Sequence, residues 1–381
     1  MKPSLIPSLP SCTTFDALKR LEILSEWLYP QTLTFNRVTW EPTPTLKSKL
    51  IPWFFLAFLG VMVGTSFYFI LLQQLLSHRK DPEISVTTHL LLLLLCTYYT
   101  FSSSCSFDSF FTADDLAFVI RSMWKIKGQF DQSSNLVGFF LNAIIIFIIV
   151  FPLDVCVVMI LRPNLDPTYL LFRNVTIISC KMKLFLRILI FCSSLMHACM
   201  HIIKYAIVGV NVLVWFIKTL DRITTTNRRQ PNFRNISEYF INMRTYRQLQ
   251  IMNQVANHII RNVLPVGTLI LLLDSVMMGY MIIKMSGVVP HTVTFLEVTI
   301  FAAIVGFIQI GFSLMAELMK KSSDFIRGLK LQGLSSQRKR QMRSCQPLKI
   351  WAGSYFFIRK GTPITLFGLM AYYTMSLVIS V

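Results

Sequence analysis

Seven times along this sequence a run of about twenty residues or more passes almost without charge, and no motif constrains the fold as strongly. About 20 apolar residues are what an α-helix needs to cross a hydrocarbon core of roughly 30 Å. Inside such a core each backbone polar group must be satisfied within its own segment or in a closed barrel. A barrel would show short segments of alternating polarity, and these runs are continuous. They cover residues 51–76, 84–105, 136–161, 184–220, 263–284, 293–319 and 361–381. Only 14% of the residues are charged and 54% are hydrophobic, with a mean hydropathy of +0.56. The expected fold is all-α: a polytopic membrane protein with seven transmembrane helices.

The fourth run spans about 36 residues, or roughly 54 Å at 1.5 Å per residue. That is too long for one crossing and too short for two with a turn, and no Pro interrupts it. It is expected as one helix that continues beyond the membrane. The divisions expected are a segment 1–50 with an amphipathic helix near 13–27, helices one to four over 51–217, a basic segment 218–262 with helical periodicity from Ile236, helices five and six over 263–319, a basic stretch 320–360, and helix seven over 361–381. Residues 106–133, rich in Asp, Arg and Lys, are expected as a polar connection.

A net charge of +19 would suggest a nucleic-acid partner in a soluble chain. Here the charge lies between the spans, so the partner expected is membrane lipid and not nucleic acid. On alternate sides the connections hold 28 and 6 of the Lys and Arg residues. The richer side faces the cytoplasm, which places the N-terminus inside and the C-terminus outside. The sequon Asn174-Val175-Thr176 then lies outside, where Asn174 is a candidate glycosylation site. The basic stretch 335–345 suits a topogenic signal or contact with anionic lipid.

Eight cysteines are scattered without a C-x-x-C pair, so neither a disulfide framework nor zinc binding is indicated. His197 and His201 are four apart on one helix, but two such ligands need a third, and no metal site is assigned. No cofactor and no catalytic residue is expected. Ionisable groups inside spans cost about 2.5–3.5 kcal/mol each near the centre, so each needs a reason. Asp154, His201, Lys204, Asp274 and Glu297 stand in this position. They line a hydrated cavity or pair between helices, for instance Asp274 with His201 or Lys204.

The last run has a polar stripe. Thr365, Gly368, Tyr372, Ser376 and Ser380 recur at spacings of three and four, on one helical face. Such a stripe packs closely against a neighbouring helix or faces water.

Three stretches carry a resemblance. Near the end stands Tyr372-Tyr373-Thr374-Met375-Ser376-Leu377-Val378-Ile379-Ser380. Before the last helix comes Pro347-Leu348-Lys349-Ile350-Trp351-Ala352-Gly353-Ser354-Tyr355-Phe356-Phe357-Ile358, and further upstream Tyr246-Arg247-Gln248-Leu249 leads to Asn257. Together with the internal N-terminus and the basic loop before the last span, these resemble the insect gustatory and odorant receptor superfamily. The family's closing pattern is Thr-Tyr, five apolar residues, then Gln-Phe. Tyr373 is kept, while Tyr372, Ile379 and Ser380 stand at the other three positions.

The resemblance implies a divergent gustatory-type receptor: a ligand-gated, non-selective cation channel of the sensory-neuron plasma membrane, opened by a small-molecule tastant. It implies a homo- or heterotetramer whose last spans surround a pore, with anchor helices in 218–262 and 320–360 on the cytoplasmic side. Thr365, Gly368, Tyr372, Tyr373 and Ser376 would line that pore, and Val378 and Ile379 would form an apolar constriction that gates by dewetting. The tastant would bind in the outer half of the bundle, where His89, Phe151, Met196, His197, Met277, Tyr280, Phe295 and Phe301 are the candidates. The rival readings are a G-protein-coupled receptor, which has the opposite topology, and a transporter, which usually shows internal repeats.

Overall fold

The computed structural model describes residues 12–77, 85–126, 136–161, 168–173, 175–229, 236–285, 287, 291–330 and 336–380. The elements in order are α1 (Thr14–Leu28), β1 (Leu33–Phe35), β2 (Pro42–Pro44), α2 (Ile51–Leu76), α3 (Val86–Phe111), α4 (Ala113–Lys125), α5 (Leu136–Leu161), α6 (Tyr169–Phe172), α7 (Cys180–Arg229), α8 (Ile236–Ile260), α9 (Val263–Lys284), α10 (His291–Lys330), α11 (Ser336–Arg343), β3 (Trp351–Ala352), β4 (Phe356–Phe357) and α12 (Thr362–Ser380). Among the described residues seven helices are long and apolar enough to cross a membrane: α2, α3, α5, α7, α9, α10 and α12.

Local signals set the helix starts. Thr13 caps α1, its Oγ1 accepting from the Asp16 backbone N–H at 3.1 Å, and Ser85 caps α3 in the same way through Thr88 at 3.2 Å. A proline in the first turn opens α2, where its missing N–H has no helical partner to lose. The fourth apolar run is a single helix of 50 residues, about 75 Å long. Most of its apolar part is buried, so α7 is the hub on which α1, α2, α3, α5 and α10 pack. By contrast, most of the apolar residues of α10 are only half-buried, and α12 leaves Ile364, Leu369, Met375 and Ile379 exposed.

The end of the bundle where α2 begins is here called the base, and the opposite end the top. Phe67 and Phe191 in the upper half of the bundle and Phe216, Tyr246 and Phe325 toward the base belong to one continuous core that runs down α7 into α8 and α10. At the top, Tyr280, Met281, Met285 and Val293 close the α9–α10 hairpin against Leu90, Leu91, Leu377 and Val378.

Two expectations need correction. Residues 106–125 are helical rather than a polar connection: α3 runs on to Phe111 and α4 follows after Thr112. The charges of α4 lie on one side, while Ala117, Val119, Ile120 and Met123 are buried on the other. Segment 1–50 is more than one amphipathic helix, because β1 and β2 form an antiparallel hairpin with Leu33 opposite Pro44. Strands this short, flanked by prolines, carry too few alternating positions to read from sequence.

Candidate ligand cavity and final helix

Between α3, α5, α7, α9 and α10 lies an apolar cavity of about 600 Å³. Its size falls within the range of roughly 300–1,000 Å³ that small-molecule sites occupy. Leu94 and Tyr98 of α3, Phe147 and Phe151 of α5, Ile203 of α7 and Ile300 of α10 are among its walls. Phe147 and Phe151 stack with ring centroids 5.2 Å apart. Two carboxylates break this surface, Asp274 on α9 and Glu297 on α10, 8% and 4% exposed.

Asp274 is one side chain for which sequence alone proposes a partner, and the partner is another. Its Oδ1 lies 2.7 Å from Thr97 Oγ1, which is also 2.8 Å from the Leu94 carbonyl. One hydroxyl proton serves one acceptor at a time. The expected pairing of Asp274 with His201 or Lys204 is absent because each of those has another contact. Lys204 Nζ lies 3.0 Å from Glu22 Oε1, although its stem also lines the cavity. His201 Nε2 accepts from the Trp53 indole at 3.0 Å. Its proton is therefore on Nδ1. Burial raises the Glu22 carboxyl above its ordinary value of 4.5, and the Lys204 ammonium pulls the other way.

Of the eight candidate ligand contacts, Phe151 lines the cavity. His197 sits elsewhere, facing α1 and α2 near the base, where its Nδ1 is 2.7 Å from the Tyr29 hydroxyl and its ring centroid 4.4 Å from that of His201. Both imidazoles thus serve aromatic and hydroxyl partners in a packed cluster with Trp53. Met277 is buried in α9, Tyr280 belongs to the top cluster, and Met196 is half-buried. His89 is half-buried in the first turn of α3, its Nδ1 2.8 Å from the Ser85 carbonyl. Phe301 packs beside Ile308 and Met370, and Phe295 projects from the bundle, 75% exposed. Asp154 is exposed, and Asn174 lies outside the described residues. Thr97, Tyr98, Ile203 and Ile300 were not among the candidates. The one sequence signal for Thr97 is that a buried Asp in a membrane helix needs a donor.

The final helix divides cleanly into two faces. Leu366, Met370 and Thr374 are buried against α9 and α10, and Thr365, Gly368, Tyr372 and Ser376 are exposed on the other side. Tyr373 and Ile379 are also exposed, at 48% and 79%. Val378, expected beside Ile379 in a constriction, instead packs into the top cluster with Tyr280. The two are 100° apart on the helix, so one turns inward as the other turns out.

Below this helix the chain is held by α8. Tyr246 Oη and Gln250 Nε2 both donate to the Gln346 carbonyl, at 2.8 and 3.0 Å. Asn253 and Asn257 both donate to the Lys349 carbonyl, at 3.0 and 2.8 Å, and Asn257 Oδ1 accepts from the Trp351 N–H at 2.9 Å. Spacings of four, three and four put these four donors on one face of α8. The clamped segment is extended, with Leu348, Ile350 and Ala352 buried and Trp351 turned outward. Gly353 follows with φ of +62°, a conformation that suits glycine, in the turn between β3 and β4.

No protein-family model and no curated protein matches the sequence. Solved structures do match. The insect olfactory receptor OR5 from Machilis hrabei superposes with a TM-score of 0.66 at 11% identity, over 96% of this chain and 98% of that one. The same receptor in complex with eugenol gives a TM-score of 0.66 at 12% identity, over 97% and 99%. At that identity the likeness is one of fold, and it extends over nearly the whole of both chains.

Proposed function

We propose that this chain is a gustatory-type chemoreceptor subunit, a non-selective cation channel opened when a small-molecule tastant occupies the cavity between α3, α5, α7, α9 and α10. The observation that carries the reading is the division of α12. Leu366, Met370 and Thr374 are packed within the chain, while the polar stripe Thr365, Gly368, Tyr372 and Ser376 is exposed on the opposite side, beside the apolar Ile364, Leu369 and Met375. A four-fold arrangement of such subunits, with these faces around an axis, gives each stripe water to meet. The fold shared with an olfactory receptor, and that receptor's complex with eugenol, support the assignment of the cavity. In this reading the base is cytoplasmic, α8 and the 346–358 segment form the anchor under the pore, and the top faces outward in a sensory-neuron plasma membrane.

Whole-cell recording from cells expressing this chain, alone and with related receptor subunits, tests the proposal. A tastant-evoked, cation-carried current that survives G-protein blockade is the expected result. A ligand response abolished by that blockade would overturn it.

A further inference from the structure

The chemistry of the cavity narrows the class of ligand, provided the cavity is the ligand site. Its walls are aliphatic and aromatic apart from a few polar groups, and a neutral apolar ligand needs no carboxylate in such a wall. Yet Glu297 is 4% exposed, and its Oε1 has no hydrogen-bond partner among the described residues. A buried acceptor left unpaired costs about 1–3 kcal/mol, and more if it is charged. Asp274, on the neighbouring helix, has Thr97 as its hydrogen-bond partner among the described residues.

The two carboxylates belong to one wall. The antiparallel α9 and α10 bring Val293 beside Met281 and Met285, which sets Glu297 near the level of Gly279. Asp274 is then about 7.5 Å lower, at 1.5 Å per residue. The lysine that lines the same cavity, Lys204, is already matched by Glu22.

We propose that the cavity takes a ligand with a protonated amine on an apolar, preferably aromatic, body, with Glu297 as the counter-charge and Asp274 with Thr97 as a second polar contact. An ammonium has three donors and no acceptor, which complements acceptor-only carboxylates. The aromatic rings of Tyr98, Phe147 and Phe151 suit both the body and a neighbouring cation. A ketone, ester or carboxylate of the same shape offers no donor and leaves Glu297 unpaired, and a site built to hydrogen-bond rejects such analogues strongly.

The test uses the purified full-length chain in lipid nanodiscs, with 2-phenylethylamine, 2-phenylethanol and ethylbenzene as probes and binding read by calorimetry at pH 7. The amine is expected to bind at least about tenfold more tightly than the alcohol, with Glu297→Gln removing that preference and leaving the alcohol within about twofold. Asp274→Asn should reduce the preference less. If the alcohol or the hydrocarbon binds as tightly as the amine to the unaltered chain, the amine proposal falls while the cavity stands as a ligand site. Should Glu297→Gln keep the full preference with an unchanged elution profile, Glu297 is not the counter-charge and the proposal is equally overturned. Failure of all three probes to bind, or to evoke current, counts against both this inference and the chemoreceptor reading.

Discussion

Lys204 Nζ lies 3.0 Å from Glu22 Oε1, with the two side chains 9% and 2% exposed. This contact ties the amphipathic helix α1 to the hub α7 across 182 positions of sequence. Removing one partner from a buried pair strands the other charge, at about 3–5 kcal/mol, whereas replacing both with apolar groups is often close to neutral. Lys204→Met is therefore expected to lower the melting temperature in detergent sharply, and Glu22→Met with Lys204→Met to restore most of it.

The same pair predicts a pH effect with a definite sign. In Lys204→Met the ammonium that opposes the burial-driven rise in the Glu22 carboxyl is gone, and only the Ser25 hydroxyl still pulls against it. A carboxyl that keeps its proton longer in the folded than in the unfolded state adds stability below its unfolded value, and that stability is lost as pH rises through the folded value. The variant should be more stable at pH 4 to 5 than at pH 8, relative to the unaltered chain. A parallel pH profile for the two proteins would show that Glu22 is not buried against Lys204.

A second contact fixes the last helix. A Cβ added at Gly279 would lie 2.9 Å from Thr374 Cγ2 and 3.0 Å from its Oγ1. Gly279→Val is expected to cost about 1–3 kcal/mol by overpacking, and Thr374→Ala to recover part of that loss. Thermal unfolding of the two single variants and the double variant measures the coupling. Additive effects would mean that α9 and α12 do not meet here.

The span pattern was legible because hydrocarbon length and backbone satisfaction leave so few options. Residues 51–76, 136–161 and 263–284 are bounded by sequence where the helices α2, α5 and α9 are bounded in space. Partners were not legible in the same way. Asp274 announces that it needs a donor, but Thr97 lies 177 positions away and is one of many hydroxyls in the spans. His197 looks like a pocket residue until α1 and α2 are packed against it, because the helix face that bears it is set by long-range contacts. The motifs around 246–257 and 347–358 were visible as a resemblance, and their physical basis, one clamping the other, appears in the hydrogen bonds between them.

That clamp makes its own prediction. Asn257 donates to Lys349 and accepts from Trp351, so Asn257→Leu leaves two backbone groups without that side chain. The Lys349 carbonyl keeps Asn253, so the Trp351 N–H is the group that loses its partner, and a loss of about 1–3 kcal/mol is expected. Asn257→Asp keeps the acceptor for Trp351 and loses only the donor, so it should cost less. Hydrogen exchange of the Trp351 amide separates the two: faster in Asn257→Leu and near the unaltered rate in Asn257→Asp.

The faces of α12 give the sharpest test of the pore. If Thr365, Gly368, Tyr372 and Ser376 meet water around an axis, single cysteines at these positions should react with a small, membrane-impermeant methanethiosulfonate applied from outside. Cysteines at Leu366, Met370 and Thr374 should not, since that face is packed on α9 and α10. Reaction should also reduce the tastant-evoked current, because the adduct narrows the path, and opening by tastant should speed it at the deeper positions. Ile379, bare and near the top, should react in the closed state if the C-terminal end faces outward, while Val378, packed with Tyr280, should stay protected. Lipid on the same face would give a different pattern: Thr365, Gly368, Tyr372 and Ser376 would all stay unreactive in the open state, and the pore would have to be sought on another helix.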